Sequence, residues 1–191
     1  MLRAVFLLML SMALAGCAPK SPPASFEATD ITGAGFGRDF KLRDPAGQVR
    51  TLADYRGKVV AIFFGYTHCP DVCPTTLSDF AQATALLGKD ADRVQVIFVT
   101  VDPERDTPQL LAQYVPAFNP RFVGLYTDPA GTRALAGEFK AVYQKTAVKG
   151  QNDYLIDHSA GTYVYDTQGK IRLLVAYGTG PEAIAHDIRE L

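Results

Sequence analysis

Apolar and polar positions alternate in blocks along this chain. Val59-Val60-Ala61-Ile62-Phe63-Phe64 is an unbroken apolar run, the pattern of a strand covered on both faces. Leu77, Phe80, Ala81, Thr84 and Leu87 then recur at helical spacing, which predicts a helix over residues 74–88. Residues 94–101 read as a second buried strand. Residues 107–115 and 128–139 read as helices, each with a proline (Pro108, Pro129) near its start, where the missing N–H costs nothing. Between them, residues 121–126 form a short strand. Residues 162–165 and 171–176 flank Asp166-Thr167-Gln168-Gly169, a hairpin signature, and residues 181–191 form a last helix. Near the front, residues 40–43 and 49–52 flank Asp44-Pro45-Ala46-Gly47 as an N-terminal β-hairpin. The polar stretch 147–157 reads as a long coil, a form that often carries function.

Strand–helix–strand alternation closed by a hairpin and a helix implies a mixed sheet between helices. The expected fold is α/β: a thioredoxin-like three-layer α/β/α sandwich with an N-terminal β-hairpin. The pattern holds no repeat and no second domain.

One further apolar block has a different meaning. Arg3 is followed by a run from Ala4 to Ala15 that is apolar apart from Ser11. One positive charge and about a dozen apolar residues form an export signal, too short to span a bilayer. It ends in Leu14-Ala15-Gly16-Cys17, similar to a bacterial lipobox, in which Cys17 is acylated and becomes the N-terminus. The expected organisation is a lipoprotein signal peptide over 1–16, a lipid-anchored linker over 17–36 with Pro19, Pro22 and Pro23, and a domain over 37–191. Acyl chains on Cys17 would hold the protein to a membrane outside the cytoplasm.

Composition narrows the chemistry. The 191 residues are 48% hydrophobic, with 19 basic and 20 acidic side chains and a formal net charge of −1. Nothing in that balance supplies the basic face a nucleic-acid binder needs, and the apolar content argues against disorder. Three cysteines are too few for a disulfide scaffold, and the count is odd. If Cys17 is lipidated, Cys69 and Cys73 remain as a pair.

That pair lies in Gly65-Tyr66-Thr67-His68-Cys69-Pro70-Asp71-Val72-Cys73-Pro74, between a buried strand and a helix. Ligands collect at the carboxyl ends of strands in open α/β sheets. Pro74 at the first helical position places Cys73 near the N-cap, where the helix dipole is expected to lower a thiol pKa. Three residues separate the cysteines, where thioredoxin-type exchangers have two. Such a pair can close into a disulfide, and it can equally offer two soft thiolates to one metal ion. A third ligand would come from the three histidines. His186 reads as a solvated helix residue, and His68 as diverging from its neighbour Cys69. His158, in Asp157-His158-Ser159, precedes a late strand expected beside the strand leading to the cysteines, so it could face them across the crevice.

Tyr66 to Pro74, Val101-Asp102-Pro103-Glu104-Arg105-Asp106-Thr107-Pro108 and Asp157-His158-Ser159 together resemble the Sco/SenC family of copper-binding proteins. The resemblance runs from about Phe40 to the C-terminus. It implies copper, Cu(I) or Cu(II), one per chain, held by Cys69, Cys73 and His158. It also implies a metallochaperone role in assembling the dinuclear copper A site of cytochrome c oxidase subunit II. Other periplasmic copper chaperones and a thiol reductant are possible partners. The implied location is the periplasmic side of the bacterial cell membrane, with the inner membrane favoured by the partner. Two thiolates suit Cu(I), and an imidazole adds a harder donor for Cu(II). A closed structural zinc site uses four ligands, and only three can be named. Asp157 is weighed as a hydrogen-bond partner orienting the His158 ring. Phe63, Phe64 and Tyr66 read as core or crevice wall. The Asp102–Pro108 segment ends a strand on the active face and is assigned no copper ligand.

The main rival is a thiol–disulfide oxidoreductase using Cys69 and Cys73, which would reduce the cysteines of the subunit II copper site. The thioredoxin family places a proline before the late strand, and Ser159-Ala160-Gly161-Thr162 has none. A peroxidase of the peroxiredoxin type leaves His158 unexplained.

Overall fold

The computed structural model describes residues 25–150 and 153–191. The expected signal segment, Cys17 and the part of the expected linker before residue 25 lie outside the described residues. Among the described residues no helix is long and apolar enough to cross a membrane.

The centre is a six-stranded mixed sheet. Strand β1 (Thr29–Asp30) lies at one edge, and two strands outside this sheet follow it: β2 (Lys41–Arg43) and β3 (Val49–Thr51), which pair antiparallel with each other. The central sheet continues with β4 (Val59–Gly65), β5 (Val94–Thr100) and β6 (Val123–Leu125). After β7 (Tyr143–Ala147) and β8 (Tyr154–His158) come β9 (Thr162–Tyr165) and β10 (Ile171–Val175). The order across the sheet is β1-β10-β9-β4-β5-β6. β4, β5 and β6 run parallel, whereas β9 joins β4 antiparallel. Every residue of β4 and β5 is buried, as their unbroken apolar pattern requires of strands sandwiched on both faces.

Among the described residues the α-helices are α1 (Val72–Leu86), α2 (Pro108–Tyr114), α3 (Pro129–Glu138) and α4 (Pro181–Arg189). Thr107 caps α2 by accepting from the Leu110 N–H, and Asp128 caps α3 by accepting from the Gly131 N–H. Pro108 and Pro129 take the first-turn positions they suit. α1 packs against α4. On that side of the sheet Phe63 meets Phe98, while Phe64 turns the other way to Phe139 and Tyr163. The period-two alternation of a strand thus sends neighbouring phenylalanines into separate layers of one core. This is the mixed α/β, thioredoxin-like architecture that the order of elements implied.

Three expectations need correction. The long coil expected over 147–157 is cut short at both ends, because β7 runs to Ala147 and β8 starts at Tyr154, an antiparallel hairpin pairing Tyr143 with His158 and Ala147 with Tyr154. Its inward set is Tyr154, Ile156 and His158, of which only Ile156 is aliphatic and buried, so no apolar alternation announces the strand. The linker expected over 17–36 gives way to packed chain by Phe26. Glu27 and Ala28 donate backbone N–H bonds to the buried Asp187 carboxylate at 2.9 and 2.8 Å. Thr29 and Asp30 then extend the sheet beside β10. Two residues are too few to show periodicity, which hid this edge. Finally, α1 begins at Val72 with Asp71 as N-cap, so Cys73 lies inside its first turn and not at the cap.

Candidate metal centre

The site sits at the carboxyl end of β4. After Gly65 the chain leaves the sheet, and the Gly65 carbonyl accepts the Val101 N–H at 2.8 Å. Cys69 closes a tight turn by donating its N–H to the Tyr66 carbonyl at 3.2 Å. Cys73 then donates its backbone N–H to Cys69 Sγ at 3.4 Å. A helix N-terminus has unpaired N–H groups, and here one of them is given to a sulfur. Gly65 has to be glycine for a packing reason. A Cβ at that position would stand 2.9 Å from Cys73 Sγ and 2.8 Å from the Phe98 ring.

His158 arrives from the opposite side, at the end of β8. Its Nε2 is 3.3 Å from Cys73 Sγ. Its Nδ1 is 3.0 Å from the Ser159 carbonyl oxygen. A carbonyl only accepts, so Nδ1 carries the proton and Nε2 keeps its lone pair toward the cysteines. The rings of Tyr66 and Phe63 meet the imidazole edge-on, each with centroids 5.9 Å apart. The Tyr66 hydroxyl accepts the Ile156 N–H at 3.1 Å, tying β8 to the loop that carries the cysteines. As a result the donor atoms of Cys69, Cys73 and His158 all lie within 4.8 Å of one another.

Burial sets the electrostatics. Cys73 is fully buried and Cys69 half-buried, both as free thiols. Burial pushes the Cys73 thiol well above its ordinary pKa, because a thiolate there loses its hydration. This reverses the lowered value expected from the helix dipole: desolvation outweighs a partial charge at this depth. Burial also lowers the His158 pKa, which favours the neutral imidazole. Such a pocket resists holding bare negative charge, and a cation among the three donors would remove that penalty.

The other sequence candidates fall elsewhere. His68 is exposed, with Nδ1 3.1 Å from the Thr67 hydroxyl. His186 lies on α4 with its ring about half exposed, 3.0 Å from Asp187. Asp157 does not orient His158: its carboxylate accepts the Thr146 hydroxyl at 2.7 Å on the outer face of the hairpin. Adjacent residues of a strand point to opposite faces, so an aspartate next to an inward histidine points outward. Phe63 and Tyr66 do wall the crevice, and Phe64 belongs to the far layer.

The Asp102–Pro108 segment does more than end a strand. Asp106 is buried, and its carboxylate accepts the Thr67 N–H and hydroxyl and the Thr100 hydroxyl. It fastens the start of the cysteine loop to the end of β5. Asp102, also buried, accepts from Arg105 Nε and from the Tyr154 hydroxyl at 2.7 Å. The available signal was a run of charges at a strand's carboxyl end on the active face, and it gave no hint that those charges turn inward.

The family model described as SCO1/SenC matches residues 28–191. A SCO2-like protein of Rickettsia felis is 36% identical over 138 residues, covering 71% of this chain and 66% of its own length. The chain therefore spans just under two-thirds of that relative. ScoI of Bradyrhizobium japonicum, solved with copper bound, is 39% identical, with a TM-score of 0.74, covering 81% of this chain and 98% of that one. The apo Sco1 protein of Thermus thermophilus is 40% identical, with a TM-score of 0.76, covering 86% and 96%.

Proposed function

The chain belongs to the SCO1/SenC family, and from that premise we propose that it is a copper carrier whose ligands are Cys69, Cys73 and His158. The observation that supports this most is the convergence of two sulfurs and one unprotonated imidazole nitrogen within 4.8 Å. That donor set suits one copper ion, with thiolates for Cu(I) and the imidazole as the harder donor for Cu(II). Copper is the cargo here. Binding it displaces the thiol protons, so loading releases protons and weakens at low pH.

The recipient on this reading is the dinuclear copper site of cytochrome c oxidase subunit II. Cys17, lipidated, anchors the protein on the periplasmic side of the cell membrane, the inner membrane being where that partner resides. Other periplasmic copper chaperones would supply the ion, and a thiol reductant would keep the pair open.

Anaerobically reduced protein given one equivalent of copper tests the reading. The expected result is stoichiometric binding, with sulfur-to-Cu(II) absorption that changes in His158→Ala. Cys69→Ser or Cys73→Ser should abolish tight binding. Copper that dissociates readily, with a spectrum indifferent to His158, would sink the proposal.

A second reading, reduction of the partner's thiols, is favoured by one asymmetry. Cys69 is partly open to a partner, while Cys73 is buried directly behind it with its N–H on the Cys69 sulfur. An attacking thiol needs access, and a second must lie within reach to resolve the mixed disulfide. Rapid disulfide reduction with negligible copper affinity would select this reading.

A further inference from the structure

The hairpin that carries His158 has little apolar reason to stay where it is. Four of the five residues of β7 are exposed, and Ile156 is the one fully buried side chain of β8. The Ile156 N–H on the Tyr66 hydroxyl ties its middle to the cysteine loop, and Tyr143 and Tyr154 lean on the core; the end of β8 farthest from His158 is tied to the body of the domain by one arginine. Arg105 donates from Nη1 to Asp153 Oδ1 at 2.7 Å and to the Tyr154 carbonyl at 2.9 Å. Its guanidinium carbon lies 3.6 Å over the centroid of the Tyr154 ring. From Nε it donates to Asp102, which also accepts the Tyr154 hydroxyl. Asp102, Arg105 and Tyr154 thus form a closed ring of contacts across two chain segments. Lys145 adds an ion pair to Glu104, but both partners are about half exposed, and such pairs contribute little.

We infer that Arg105 is a positioning residue for His158: by clamping Tyr154 and Asp153 it holds β8 in register over the cysteine loop and so keeps the imidazole at the Cys69–Cys73 pair. The inference rests on the copper reading for its consequence, though not for its geometry. His158 lies four residues beyond Tyr154 on one strand face, so the clamped end fixes the ligand end. The planar fork of Arg105 serves here as lysine could not, because stacking and two-point donation are needed together. The assignment gives a use to the Asp102–Pro108 charges that the copper ligands leave unexplained.

The test compares Arg105→Ala, Arg105→Lys, Tyr154→Ala and Tyr154→Phe in the full chain. In metal-free protein, NMR should show His158 ring signals losing their Tyr66 and Phe63 contacts in both alanine variants. Tyr154→Phe, which keeps the stacked ring, should retain them. With copper, the alanine variants should lose the His158-dependent Cu(II) spectrum and about tenfold or more in Cu(II) affinity, in the range of outer-partner changes at metal sites. Cu(I) stoichiometry, carried by the cysteines, should hold. Arg105→Ala strands the buried Asp102 charge and risks misfolding; Arg105→Lys keeps a positive charge beside Asp102 but loses the stacked two-point fork, and then decides the matter. A folded Arg105→Lys protein with wild-type His158 contacts would overturn the clamp. If His158→Ala leaves the wild-type copper spectrum unchanged, the copper reading fails, while the metal-free NMR still judges the clamp.

Discussion

The two halves of the candidate site are built in opposite ways. The cysteine half hangs from β4, every residue of which is buried, and from α1, whose Leu77 and Phe80 are sunk in the same core. The histidine half hangs from a hairpin that is mostly exposed and is tied down by arginine, tyrosine and aspartate contacts. One half is held by apolar area, which is non-directional and hard to lose a little at a time. The other is held by a few directional contacts, each removable by one substitution. A carrier that must both hold and release a metal gains from this division. On the copper-carrier reading proposed above, the two sulfurs would stay fixed, and His158 would be the donor easier to disengage.

The comparison can be broken most directly at the core. Phe80→Ala, at 1% exposure, should cost about 3–5 kcal/mol, read as a lower denaturant midpoint. Leu155→Ala on the outer face of the hairpin should stay within about 0.5 kcal/mol. Equal losses would mean that the hairpin is as much core as β4. Hydrogen exchange sharpens the same point: amides of β7 and β8 should open at a free energy on the order of 2–3 kcal/mol below those of β4 and β5. Exchange of all four strands at one common free energy would remove the distinction. Next comes Gly65→Ala, whose Cβ would press on Cys73 Sγ and the Phe98 ring. It should cost about 1–3 kcal/mol and disturb the sulfur position. Lys140 stands at the entrance to the hairpin with φ of 56°, in the left-handed region that glycine tolerates. Lys140→Gly should therefore stabilise the fold, by about 1 kcal/mol, without moving the cysteine half.

The smallest effect is a control away from both halves. A hydrogen bond to Asp187 raises the His186 pKa above its ordinary 6.5. A raised folded-state value means that this contact stabilises fully below about pH 6.5 and is lost as pH rises through the raised value. His186→Ala should flatten that dependence in denaturant melts across pH 5.5–8.5 and leave copper binding unchanged.

The cysteine half was legible because its signals are local. An unbroken apolar run, a proline-marked helix start and a Cys-x-x-x-Cys spacing lie in one continuous stretch, and burial preserves their pattern. The histidine half was legible as a residue and not as a structure. His158 was named as a possible third donor, yet the strand carrying it read as coil, because Tyr154, Ile156 and His158 do not look like one face. Asp157, adjacent to His158 in sequence, faces away, and Arg105, 53 positions before His158, makes contacts with the hairpin. The helix dipole suggested a more acidic Cys73, and the depth of the core reversed it.

The sequence by itself determined the alternating elements and the cysteine loop at a strand's carboxyl end, since these depend on residue type and short-range periodicity, and its family resemblance named Cys69, Cys73 and His158 as candidate donors. Tertiary structure alone decided which nitrogen of His158 faces the sulfurs, how far each thiol is cut off from water, and what keeps the hairpin in place. Those depend on contacts between segments far apart in the chain, where desolvation and directional hydrogen bonds act and periodicity carries no record of them.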